Sequence, residues 1–133
     1  MKTVIILEPH QPLGLLINTA SILSITIGDI VKNIRGEDTI DADGIKHLGV
    51  IKTPLPILSA DSDTLRSIYN RVKNDDKFIV ADFTKLAQSC KTYEEYIEKC
   101  LNTKNCDMEI LGLAIYGKRK DINKIVGNLK TLK

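Results

Sequence analysis

Tryptophan is absent, and only two histidines occur, His10 and His47. Cysteine is scarce and odd in number: Cys90, Cys100 and Cys106. They form no Cys-x-x-Cys pair, so neither a redox dithiol nor a disulfide framework is indicated, and reduced thiols are the natural reading. Zinc needs four ligands at tight spacing, and both histidines lie far from the cysteines in sequence; no metal site and no cofactor is expected. Charge of one sign is lacking too: the net charge of +2 is too small to imply nucleic acid by itself. There is no Rossmann glycine run and no Ser-His-Asp order. Gly112 and Gly117-Lys118 have the spacing of a phosphate loop, but Arg119 stands where that loop needs serine or threonine. Long apolar runs are missing as well. Thr3–Leu7 stops at Glu8, too soon for a signal peptide. Leu13–Ile34 is broken by Asn18, Thr19, Ser21, Ser24, Thr26, Asp29 and Lys32, too often for a lipid-facing segment. A cytoplasmic chain that does not enter the membrane is expected.

With 133 residues, 43% of them hydrophobic, the chain can bury roughly two thirds of its unfolded surface as one domain, residues 1–133. Its opening organises the rest. Thr3–Leu7 is apolar without alternation, which predicts a strand covered on both faces. Pro9 and Pro12 end it, and from Leu13 the period becomes helical, out to about Ile34. Leu16, Ala20, Leu23, Ile27 and Val31 form the inward stripe, while Gly14, Asn18, Ser21 and Gly28 form a second stripe of small residues. Gly36 is the expected left-handed cap. Asp41–Gly49, with Asp43-Gly44 between apolar positions, predicts a hairpin. A calcium loop fails there, because Ile45 occupies a ligand position.

Further strands are predicted at Val50–Leu58, Phe78–Ala81 and Ile110–Tyr116. Pro54 and Pro56 place the first of these at a sheet edge. A helix over Ser62–Lys73 is capped by Asp61 or Ser62. Two more lie between Thr84 and Leu101, the second opened by the capping box Thr92–Glu95. A last helix runs from Lys120 to about Leu132. Strands alternating with helices make this an α/β fold. Lys118–Lys133 carries six basic residues and one acid, Asp121, a segment of +5 against −3 for the remainder. Such an end can attract phosphates.

In α/β sheets ligands bind beyond the carboxyl ends of the strands. That rule selects Glu8–Gly14, Ser59–Asp63 and Asp82–Thr84, and with them a candidate ligand pocket of His10, Gly14, Asn18, Asp61, Asp82 and Thr84. Asp41, Asp43 and His47 are candidate contacts on the hairpin.

Glu109–Gly117 followed by Asp121–Lys130 resembles the end of the peptidyl-tRNA hydrolase II fold, and the opening strand, loop and small-faced helix resemble its start. The whole chain resembles more closely a domain-of-unknown-function family, numbered two thousand. The stretches that carry this are Gly14–Asn18 with Gly28, Asp41–Gly44 with His47 and Gly49, Pro54–Leu58, and the ending above. They leave out about Thr84–Asp107, which reads as an insert. The resemblance implies a three-layer α/β/α fold with a mixed four-stranded sheet and no established activity. The hydrolases carry Lys-x-x-x-Gln-x-x-His on the first helix; here those positions are Gly14, Asn18 and Ser21, so the cation and the imidazole are gone. Asp82 matches their aspartate after the third strand.

Three functions follow as expectations: a small intracellular ligand-binding or regulatory domain without the hydrolase chemistry, an amide or ester hydrolase centred on Asp82 and Asn18, and an RNA-binding module using the basic C-terminal helix. Steep salt dependence would mark the third. The partners expected are a small-molecule ligand or RNA, and a second copy. Leu15, Ile22, Ile25 and Ile30 remain outside the first helix's inward stripe and call for cover, and hydrolases of the resembled fold are dimeric. Peptidyl-tRNA turnover by the purified protein is expected to be absent or weak. Robust release of tRNA in a single-turnover assay, abolished by Asp82→Asn, would reverse that reading.

Overall fold

A computed structural model describes residues Met1–Lys133. Strand β1 (Lys2–Leu7) is followed by helix α1 (Leu13–Ile30), a two-stranded arm of β2 (Thr39–Ile40) and β3 (Lys46–His47), and strand β4 (Ile57–Ser59). Then come α2 (Ser62–Val72), β5 (Ile79–Thr84), α3 (Lys85–Ser89), α4 (Tyr93–Leu101), β6 (Ile110–Gly117), α5 (Arg119–Val126) and β7 (Lys130–Thr131). The main sheet has the order β5-β6-β1-β4-β7. β1 pairs parallel with β4 and antiparallel with β6, β6 antiparallel with β5, and β4 antiparallel with β7. The fold is therefore α/β with a mixed sheet. β1, β4 and β5 run the same way, so their carboxyl ends share one end of the sheet.

Both faces are covered. Val4 and Ile6 pack with Leu65, Ile68 and Val72 of α2 and Ile122, Ile125 and Val126 of α5. Ile5 and Leu7 pack with Leu16, Leu23 and Ile27 of α1. The unbroken apolar run of β1 is thus the mark of a strand buried on two sides.

Several expectations change. The sheet has five strands, because the predicted final helix stops at Val126 and the chain returns through β7 to pair Thr131 with Leu58. Val50–Leu58 is strand only from Ile57, so Pro54 and Pro56 precede β4 and cost it no ladder donors. Strand β5 runs on through Thr84 rather than ending at Ala81. Helix α1 ends at Ile30, and Asn33, at φ 63°, takes the left-handed turn assigned to Gly36. Ile22 turns inward, packed against the α1 core. Leu13, Ile17, Ile25 and Ile30 stay exposed.

β6 contains a bulge. Phe83 pairs with Gly112 and Thr84 with Ile110, leaving Leu111 as the extra residue. Leu111 joins the α1 core, and its carbonyl accepts from the Glu8 backbone N–H at 3.0 Å and from Gln11 Nε2 at 3.0 Å. Gln11 Nε2 also donates to the Glu8 carbonyl at 2.9 Å. One amide thus fastens the loop after β1 to the bulge.

A Cβ on Gly112 would lie 2.8 Å from Leu7 Cδ2 and 2.9 Å from Thr19 Cγ2, both in the packed layer beneath α1. Gly112→Ala is expected to destabilise by about 1–3 kcal/mol through overpacking. Urea unfolding measures it; a variant as stable as the parent would show that α1 can lift away freely.

Candidate functional site

Beyond the edge of β5 lies a cleft of about 550 Å³. Its floor is Val80, Ala81, Asp82 and Phe83 of β5, and α1 contributes Ile22 and Thr26. The opposite wall is Ala87, Cys90, Lys91, Thr92, Tyr93 and Tyr96. Local caps fix that wall. Thr84 Oγ1 accepts from the Ala87 N–H at 3.1 Å and starts α3. Thr92 Oγ1 accepts from the Glu95 N–H at 3.1 Å, and Glu95 Oε2 reaches back to the Lys91 N–H at 3.0 Å. The break at Cys90–Lys91 lets α4 fold back along the sheet edge and turn its tyrosines to the cleft. The Tyr93 and Tyr96 rings meet edge to face, centroids 5.6 Å apart.

Asp82 is the acid of this cleft. It pairs with Leu113 inside β5 instead of following the strand. It keeps access to solvent, yet burial among its neighbours raises its pKa, and the Arg66 guanidinium only partly offsets this. Arg66 is committed elsewhere, donating to Asn105 Oδ1 at 3.0 Å and to the Asn105 and Met108 carbonyls. Burial pushes the Tyr96 phenol up to about 12, with Cys100 and Asp82 adding to the effect. Tyr96 is therefore a neutral hydroxyl, suited to hydrogen bonding.

Of the six predicted pocket residues, only Asp82 lines the cleft. Thr84 is buried and spent as the cap of α3. Asp61 caps α2, accepting from the Thr64 N–H at 2.8 Å, and those backbone bonds lower its pKa. His10 is exposed on the loop and held by Glu8, Nδ1 to Oε1 2.6 Å. Gly14 and Asn18 face solvent on α1, so the expected pair of Asp82 with Asn18 is not assembled in the cleft. Asp41 and His47 bond each other at the arm, 2.7 Å apart. Asp43 takes only its backbone N–H into that arrangement, donated to Asp41 Oδ1 at 2.9 Å.

The sequence reading missed Tyr93, Tyr96, Phe83 and Ile22. A signal was available: the chain has four tyrosines and two phenylalanines, and half of these six aromatics meet here. On α5, Arg119, Lys120 and Lys124 stand exposed, and none of them is ion-paired.

Fold and cleft together define a mixed α/β protein with an apolar, tyrosine-walled groove beside its edge strand. The chain belongs to the DUF2000 family, proteins of unknown function, whose family model matches residues 1–133. A solved structure of a protein of unknown function from Agrobacterium tumefaciens strain C58 is similar to it, with TM-score 0.89 and 19% identity over 99% of this chain and 97% of that one. At that identity the likeness establishes fold alone. Both matches include Thr84–Asp107, so this stretch is shared with the family and with that structure. No curated protein matches the chain.

The raised pKa of Asp82 gives a signed expectation. A carboxyl that holds its proton more tightly when folded weakens the fold as it ionises. Its unfavourable contribution is absent below the ordinary aspartate range and complete above the raised folded value. Asp82→Asn is therefore expected to stabilise the protein at pH 7, with the gain shrinking to nothing in acid. Parallel urea titrations at pH 3 and pH 7 decide it; a gain equal at both would remove ionisation as the cause.

Proposed function

We propose that this chain is a small intracellular ligand-binding or regulatory domain on a peptidyl-tRNA hydrolase II-like scaffold, and that the β5-edge cleft is its ligand site. The observation that carries the reading is the lining itself: largely apolar walls, the two tyrosine rings of α4 and one carboxylate, Asp82, whose pKa burial raises. Binding sites of this kind are mostly apolar, with a few polar groups that fix orientation. The scaffold reading rests on the order of elements at the two ends, with the strand Ile110–Gly117 leading into α5 as in the hydrolases. The changes at Gly14 and Ser21 favour binding over the hydrolase chemistry.

The chemistry of the lining selects a ligand class. A flat apolar group suits the Tyr93 and Tyr96 rings, with Ile22 and Val80 beside them. A hydrogen-bond donor or amine on it would meet Asp82, and a cation would ease the cost of ionising that carboxyl. Lys91 at the rim disfavours a second positive group on that side.

The test is titration of a panel of aromatic amines and their neutral isosteres, followed by tyrosine fluorescence without interference from tryptophan. Amines are expected to bind. Tyr96→Ala should weaken them about tenfold or more, a loss of about 1.4 kcal/mol. Asp82→Asn should weaken the amines and leave the isosteres unchanged. Binding indifferent to both substitutions, or none across the panel, would refute the reading.

A further inference from the structure

We propose that a small cavity at the amino end of β1 is a binding site for a phosphoryl group, carried by inorganic phosphate or by a small phosphomonoester. The inference is independent of the cleft and of its ligand. It concerns the end of the sheet where Thr3 pairs with Tyr116, opposite the carboxyl ends of β1, β4 and β5.

The cavity measures about 180 Å³. Separate stretches of chain meet around it: Met1, Val31–Ile34 after α1, Lys52 and Thr53 on the return from the arm, and Tyr116 of β6. Its polar lining is Lys32, Asn33, Lys52, Thr53 and Tyr116. None of these five side chains makes a hydrogen bond or an ion pair within the chain. All of them can donate, through two ammonium groups, an amide and two hydroxyls. No carboxylate lines the cavity. Asp29 and Glu37 lie outside the lining, and Asp38 is taken up by Arg35, Lys46 and the Gly49 N–H.

The root of the arm builds the site. Arg35 bridges Ile51, and the Lys52 N–H donates to the Ile34 carbonyl at 3.2 Å. These bonds set Lys52 and Thr53 against Lys32 and Asn33. A Cβ on Gly49 would lie 1.9 Å from the Gly36 carbonyl oxygen, so the two chains cross there with no room for a side chain. A Cβ on Gly36 would lie 3.2 Å from Lys52 Cγ, so the stem of that lysine rests on backbone. Asn33 turns the chain at φ 63° and adds its amide to the wall. Buried Val31 and half-buried Ile34 back the donors with apolar surface, which strengthens their attraction for an anion.

A helix carboxyl end attracts a cation, and Lys32 alone would serve that of α1. Lys52, Thr53 and Tyr116 are not explained in that way. The helix end brings roughly half a negative charge against two full positive ones, so the cavity still favours an anion. Its size is well below the roughly 300 Å³ at which sites for drug-sized ligands begin, so the ligand group is small. A carboxylate is matched best by the planar fork of arginine, which the lining lacks. Two lysine point charges with scattered single donors suit the several oxygens of a phosphoryl group.

The test is a two-dimensional amide NMR titration of the full chain at pH 7.5 and constant ionic strength. The probes are inorganic phosphate, methyl phosphate and acetate. Amide shifts are expected at Val31–Ile34 and at Lys52 and Thr53, saturating in the millimolar range. Lys32→Gln and Lys52→Gln should each weaken phosphate binding about tenfold, by loss of a charged donor. Tyr116→Phe should weaken it about threefold, by loss of a neutral one. Lys124→Gln, on α5, should leave it unchanged. Tighter binding of phosphate would assign the free ion and tighter binding of methyl phosphate an ester, and either result supports the site. Acetate bound as tightly as phosphate, shifts confined to α5, or binding indifferent to both lysine substitutions would each overturn the proposal.

Discussion

The structure depends on one ladder: Lys2–Leu7 paired antiparallel with Gly112–Gly117 through six residues in unbroken register. Both strands are almost wholly buried, so every backbone polar group in them must find a partner within the sheet or its loops. The ladder supplies most of these. Where the bulge interrupts pairing, Gln11 and the Glu8 amide satisfy the Leu111 carbonyl. A sheet buried on both faces also dictates the layers. Alternate residues of β1 feed two separate cores, and neither core can close without its own helices. α1 covers one side and α2 with α5 the other. This division leaves α1 as the one long helix over its face of the sheet.

Much of this was legible in the sequence because it is local. Thr3–Leu7 could not be anything but a doubly covered strand, and the stripe of Leu16, Leu23, Ile27 and Val31 states which side of α1 meets it. The Thr92–Glu95 spacing and the Asp43-Gly44 turn also carry their structures with them, since each is closed by bonds within a few residues. The misreadings share a cause: each was decided by a contact far away in the chain. Helix α5 stops at Val126 because the residues beyond it can pair with β4. Strand β5 runs on to Thr84 because β6 lies beside it. Pro54 and Pro56 precede β4, which begins at Ile57, where pairing with β1 starts.

The candidate site was less legible than the fold for the same reason. The rule of strand carboxyl ends did gather the loops after β1, β4 and β5 at one end of the sheet. Those loops, however, use their polar residues on themselves. Asp61 and Thr84 are caps, Glu8 holds His10, and Gln11 serves the bulge. A side chain spent on closing its own turn has little left for a ligand. The residues that line the cleft read separately as a core stripe, a short strand and an ordinary amphipathic helix. Only the break at Cys90–Lys91, which folds α4 along β5, makes a surface of them.

That placement also resolves how the sheet manages its edges. An exposed edge strand is a template for unwanted pairing. At the β4 side the two residues of β7 take up the outer hydrogen bonds. At the β5 side α3 and α4 stand over the edge instead, and a helix cannot fill the space beside a strand as another strand would. The shortfall is the cleft. Its apolar character follows from the demands of edge protection and core packing, because Ile22, Val80 and Phe83 also contact the two cores. Asp82 does not follow from either. Its place in the middle of a half-covered strand partly buries the carboxyl, and that burial raises its pKa. Neither capping nor an ion pair accounts for it, since Thr84 caps α3 and Arg66 is bonded to the loop before β6. In a cleft that packing already explains, Asp82 is the residue left over: it lines the space, caps no helix and forms no ion pair, and such a carboxyl is where function is best sought.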